Sequence, residues 1–85
     1  MIQKELTIGI QGGLEARPVA MFVQIAGAYQ SQVFVEYNGR KVNAKSIMGM
    51  MSLGLAQGEK ITIVTDGEDE EDAMKGITDY LSGKE

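Results

Sequence analysis

From Ile2 to Ile10 apolar and polar residues alternate, with Leu6, Ile8 and Ile10 on one face and Glu5, Thr7 and Gly9 on the other, the period of a half-buried strand. Gln11-Gly12-Gly13 breaks that pattern. Between Ala16 and Gly27 the apolar Val19, Phe22, Val23 and Ala26 recur at helical spacing, and Pro18 lies in the first turn, where proline is tolerated. Gln32 to Tyr37 is rich in valine and aromatic residues and leads through Asn38-Gly39 into Arg40-Lys41-Val42-Asn43. This is a hairpin with a two-residue type I′ turn. Ser46 to Leu53 opens on a capping residue, carries apolar side chains at 47 and 50/51, and stops at Gly54, which predicts a second, two-turn helix. Lys60 to Thr65, with Ile61, Ile63 and Val64, reads as a strand. A last helix begins in the acidic run Glu68–Asp72 and places Ala73, Ile77, Tyr80 and Leu81 on one face.

The order β-α-β-β-α-β-α, joined by a hairpin and helical crossovers, predicts an α+β open-faced β-sandwich. A four-stranded, mainly antiparallel sheet carries three helices on one face. With no internal repeat, linker or low-complexity tract, residues 1–85 are expected to form a single domain.

Composition narrows the function. Hydrophobic residues at 44 % and charged residues at 24 % are ordinary for a folded soluble protein. The chain has no cysteine, which removes disulfides, thiolate metal sites and thiol nucleophiles. It also has no histidine, which removes the commonest general base, the usual nitrogen ligand of transition metals and any phosphohistidine. No catalytic residue, metal or cofactor is therefore expected. A net charge of −4 argues against direct nucleic-acid binding. No basic leader precedes an apolar run and no segment approaches the ~20 apolar residues of a membrane span, so the expected location is cytoplasmic, away from membranes.

Four stretches carry candidate chemistry. Gly9, Gly12 and Gly13 lie between a strand and a helix but lack the spacing of a dinucleotide fingerprint, and a turn is the simpler reading. The acidic run from Glu68 lacks the alternating ligands of a calcium loop and reads as a solvated, dipole-favoured helix start. Glu15-Ala16-Arg17-Pro18 sets a carboxylate and a guanidinium at the start of the first helix. That end can bind an anion, or Glu15 can simply cap it and pair with Arg17. Ser46 is either an N-cap or a phosphorylation site, since a helix N-terminus tolerates a phosphate. Met48, Met50 and Met51 follow it and cannot all enter a small core. Either some of this methionine surface is an adaptable contact for a partner, or Met50 packs inside and the others are incidental.

Gly13-Leu14-Glu15-Ala16-Arg17-Pro18 resembles the Gly-Leu-His-Ala-Arg-Pro active-site motif of the HPr phosphocarriers of the sugar phosphotransferase system. Lys45-Ser46-Ile47-Met48-Gly49 with Met51-Ser52-Leu53-Gly54 resembles that family's regulatory-serine motif, and the likeness covers essentially the whole chain. Glu15 stands where the phosphorylated histidine belongs. In this the chain is similar to the catabolite-repression branch, which keeps the serine and has lost the histidine. The resemblance implies phosphorylation of Ser46 by the bifunctional HPr kinase/phosphorylase, followed by binding to the catabolite control protein, a repressor-type transcription regulator. It further implies that Ile47, Met48 and Met51 form the apolar contact, that Arg17 contributes charge beside the phosphate, and that Glu15 marks a degenerate phosphocarrier site. Two alternatives remain at this point: a carrier that uses Glu15 as an acyl-phosphate acceptor, and a binding module in which Ser46 is only a cap.

Overall fold

The computed structural model describes residues 1–10 and 16–83, without the side chains of residues 16 and 17. The element order is β1 (Ile2–Thr7), α1 (Ala16–Gly27), β2 (Gln32–Tyr37), β3 (Arg40–Asn43), α2 (Ile47–Met51), β4 (Lys60–Asp66) and α3 (Glu70–Leu81).

The hairpin forms where local chemistry requires it. Asn38 and Gly39 take φ values of 53° and 81°, the left-handed pair that a type I′ turn needs and that these two residue types tolerate. Tyr37 then faces Arg40, and Phe34 faces Asn43. β4 pairs with both β1 and β2, giving the order β1-β4-β2-β3, and each of these pairings is antiparallel. This is the four-stranded open sheet with three helices that the element order predicts.

Register sorts the strands into two faces. Inward, Ile63 lies between Lys4 and Val35, and Thr65 lies between Ile2 and Val33. Outward, Thr62 lies between Glu5 and Glu36, and Glu36 pairs with Lys41. The helices cover the inner face with residues three and four apart: Val19, Phe22 and Ala26 from α1, and Ala73, Ile77 and Leu81 from α3, all fully buried. Burying Phe22 alone is worth about 1.5–3 kcal/mol. Tyr80 stays half-exposed and donates its hydroxyl to the Pro18 carbonyl at 2.9 Å, tying α3 to the start of α1.

The first strand is shorter than the sequence reading, whereas the last helix starts inside the acidic run where it is expected. The first strand stops at Thr7 rather than Ile10: the Ile8 amide still reaches the Glu59 carbonyl in the β1–β4 register at 2.9 Å, but the Ile8 carbonyl accepts from the Gly58 amide at 2.8 Å and the Gly9 amide turns to the Leu81 carbonyl at 2.7 Å. The alternation persists in Ile8, which is buried, although the ladder has ended. Gly9 is part of a close approach: a Cβ there would lie 2.9 Å from the Ser82 carbonyl oxygen. The last helix begins at Glu70, after an N-cap Asp69 whose carboxylate makes no cap bond. Glu70, Glu71 and Asp72 fill the first turn, where the helix dipole favours acids.

Candidate functional site

The chain leaves β3 through a tight turn that sets up Ser46. Ala44 is buried and donates to the Val33 carbonyl at 2.8 Å, continuing the sheet for one more residue. The Asn43 side chain then accepts from the Lys45 amide at 2.8 Å, while its backbone carbonyl accepts from the Ser46 amide at 3.0 Å. Ser46 emerges extended (φ −103°, ψ 112°), and its hydroxyl oxygen accepts from the Gly49 amide at 3.2 Å. That is the geometry of an N-cap. A Cβ on Gly49 would lie 3.3 Å from the Ser46 hydroxyl oxygen and 3.6 Å from the Val42 Cβ, so the missing side chain lets the cap close.

A five-residue helix has little intrinsic stability and has to be held from outside. Met50 anchors it, being 0 % exposed in the core, and the buried Leu53 follows. The C-terminal end is clamped by Arg40 of β3. Its Nη1 donates to the Ser52 carbonyl at 3.2 Å and its Nη2 to the Ser52 hydroxyl at 3.0 Å, while that hydroxyl donates to the Gly49 carbonyl at 2.7 Å. At the other end Lys45 reaches away from Ser46 and donates its ammonium to the Tyr29 carbonyl, 2.8 Å away and just beyond α1.

With Met50 turned inward, the rest of α2 faces solvent. Ile47 is 43 % exposed, Met48 80 % and Met51 55 %. A solvent-facing serine hydroxyl thus sits at the head of a short helix whose outer surface is isoleucine and methionine. Of the residues expected to act together, the structure joins Ser46, Ile47, Met48 and Met51. Glu15 and the side chain of Arg17 lie outside the described residues; the backbone of Arg17 belongs to the first turn of α1.

Among the described residues, those around Ser46 form an open surface. Hollows of about 310 and 340 Å³ lie elsewhere: one beside the β2–β3 hairpin, near Glu36, Lys41 and Lys60, and one between β1 and α3, near Lys4, Met74 and Thr78. Among the described residues no group of three or more carboxylates is arranged to hold a metal ion, and no helix is long and apolar enough to cross a membrane.

Sequence reasoning did not foresee the Arg40–Ser52 clamp or the Lys45–Tyr29 contact. Neither has a local signal, because the partners lie twelve and sixteen residues apart and meet only once the sheet has formed.

The family profile described as "PTS HPr component phosphorylation site" matches residues 2–82. The HPr-like protein Crh of Halalkalibacterium halodurans is 46 % identical over 81 residues, covering 95 % of this chain and 96 % of that protein. Crh of Bacillus subtilis is also 46 % identical over 81 residues, covering 95 % of each. Among solved structures, that of HPr-C-His from Thermoanaerobacter tengcongensis superposes with a TM-score of 0.92 at 45 % identity, covering 100 % of this chain and 99 % of that one.

Proposed function

The chain belongs to the HPr family, and on that premise we propose that it is a regulatory phosphoprotein of carbon catabolite repression. HPr kinase/phosphorylase places a phosphoryl group on Ser46, and the modified face docks on the catabolite control protein, which then holds its operator more tightly. The observation that carries this reading is an exposed Ser46 hydroxyl at the cap of a short helix whose exposed side chains, Ile47, Met48 and Met51, are apolar.

The physical chemistry suits that sequence of events. In the cap the serine oxygen accepts one hydrogen bond, from Gly49, and keeps its remaining capacity toward solvent. A phosphoryl group there adds a charge of about −1.5 to −2 and strong acceptor oxygens beside unpaired amides of the first turn, so α2 need not melt. The new charge then stands next to an adaptable apolar surface. A partner reads both together with an apolar pocket and basic side chains. Net charge of −4 keeps the protein itself off DNA, and its influence on transcription runs through the regulator.

The carrier alternative routes phosphate through Glu15 as an acyl phosphate, in a chain without an imidazole. One experiment separates the two. The protein is incubated with kinase and ATP, or with enzyme I and phosphoenolpyruvate, and mapped by mass spectrometry. The regulatory reading requires one phosphoryl group on Ser46 in the first reaction and none in the second. Stable label on Glu15 in the second would replace it with the carrier.

A further inference from the structure

We infer that Met48 and Met51 are a second modification site, for oxidation by peroxides, and that their sulfoxides turn the outer face of α2 from apolar to polar while the fold is kept. The effect on docking rests on the function proposed above; the chemistry does not.

The chain has six methionines and no cysteine, so its oxidisable sulfur is entirely thioether. The structure divides these residues sharply. Met50 and Met74 are enclosed in the core, whereas Met48 and Met51 project into solvent, as do Met1 and Met21. In the reaction a sulfur lone pair attacks a peroxide oxygen, an S–O bond forms and the O–O bond breaks. The departing oxygen leaves as water or an alcohol once it has taken up a proton. Sulfur loses two electrons and the peroxide gains them. Access of the oxidant to sulfur governs the rate, and α2 presents two open sulfurs on either side of one closed one.

The consequence follows from what holds α2. Its anchors are the buried Met50 and Leu53, the Ser46 cap and the Arg40–Ser52 clamp, and no one of these uses the side chain of Met48 or Met51. Oxidation at the two exposed positions therefore leaves the helix in place. It does replace two soft apolar groups with strongly dipolar S=O groups, which keep their water and resist burial in an apolar pocket. Because methionine sulfoxide is reducible by its dedicated reductases, the change is reversible. The face next to Ser46 thus takes two inputs: phosphate turns docking on, and peroxide turns it off.

The test oxidises the Ser46-phosphorylated protein with limiting hydrogen peroxide, maps the sulfoxides by peptide mass spectrometry and measures regulator affinity before and after. Met48 and Met51 should oxidise well ahead of Met50 and Met74, with circular dichroism unchanged. Affinity should fall roughly tenfold or more and return after treatment with methionine sulfoxide reductase. A Met21→Leu variant should show the same fall. A Met48→Leu/Met51→Leu variant, whatever its starting affinity, should show no change on oxidation. The inference is overturned if Met50 oxidises in step with Met48, or if both sulfoxides form and affinity holds. If unoxidised phosphoprotein fails to bind the regulator, it is the docking reading that fails, and the order of oxidation still decides the modification site.

Discussion

The carboxylate of Asp69 accepts from both the backbone amide and the hydroxyl of Ser31, thirty-eight residues earlier, with the amide bond at 2.8 Å, and also from the Gln30 amide at 2.9 Å. Asp69 precedes α3 and Ser31 follows α1, so one side chain ties the exit of one helix to the start of the other. Three donors converge on it, with the Ser31 hydroxyl the strongest influence, and they hold its pKa below the ordinary aspartate range. Gly67 packs over the same joint, where a Cβ would lie 2.6 Å from the Ser31 Cα.

A depressed pKa in the folded state means that the unfolded chain binds the proton more readily. The stabilisation from Asp69 is therefore fully present above about pH 4, the unfolded aspartate value, and is lost as pH falls through the lower folded value. Thermal unfolding followed from neutral to acid pH should show Tm falling in that window. In Asp69→Asn, Tm should be lower at neutral pH and the acid dependence weaker. Equal acid slopes in the two proteins would assign the effect to other carboxylates, Glu70 and Glu59 being the first candidates, since both are also held below their usual range.

The same residue shows how far the sequence could be read. Asn38-Gly39 announces its turn because the φ values required are available to those residue types, and no distant atom is consulted. The buried stripes of α1 and α3 announce themselves by period. Ser46 is legible as a cap from its position before an apolar stretch, whereas its proposed modification rests only on the motif around it. Asp69, by contrast, is one acid in a run of five, and nothing local says that it turns from its own helix toward Ser31. The end of β1 is equally hidden, being set by the Gly58 amide and the Leu81 carbonyl. What sequence conveys here is chemistry confined to a few neighbouring residues, and what it withholds is pairing across the fold.

Ser46→Ala removes the acceptor for the Gly49 amide and should cost about 0.5–2 kcal/mol in chemical unfolding, with the far-ultraviolet spectrum intact. Kinase labelling and regulator binding should both disappear. Ser46→Asp should restore the cap yet mimic phosphate poorly, having less charge and fewer acceptor oxygens. Full regulator binding by kinase-treated Ser46→Ala would show that the serine is only a cap.

Met48 and Met50 lie two residues apart on one helix and should respond oppositely to truncation. Met50→Ala opens a cavity in the core and should cost about 2–5 kcal/mol of stability. Met48→Ala removes a side chain that is largely in water, and should change stability by less than about 0.5 kcal/mol. Isothermal titration of the phosphorylated protein with the regulator should nevertheless show Met48→Ala weakening the complex by roughly 1–2 kcal/mol. A Met48→Ala protein that binds normally would move the docking surface away from α2.

Arg40 should matter to the site although it lies on β3 and twelve residues from its partner, the C-cap residue of α2. Its two nitrogens hold the Ser52 carbonyl and hydroxyl together, and that hydroxyl in turn holds the Gly49 carbonyl, so one guanidinium fixes the last turn of a helix too short to fix itself. Arg40→Ala should cost only about 1 kcal/mol of global stability, because the bonds are exposed and water replaces them in part. The local effect should be larger. Amide exchange at Ser52 and Leu53, which bond the Met48 and Met50 carbonyls at 3.1 and 3.2 Å, should quicken, while exchange at Ala44 in the sheet should stay slow. Arg40→Lys tests geometry against charge: a lysine keeps the cation but cannot span both Ser52 oxygens with a planar fork, so it should rescue exchange protection only in part. Full rescue by lysine would mean that a positive charge at the helix C-terminus is what holds α2, and that the paired contact is incidental.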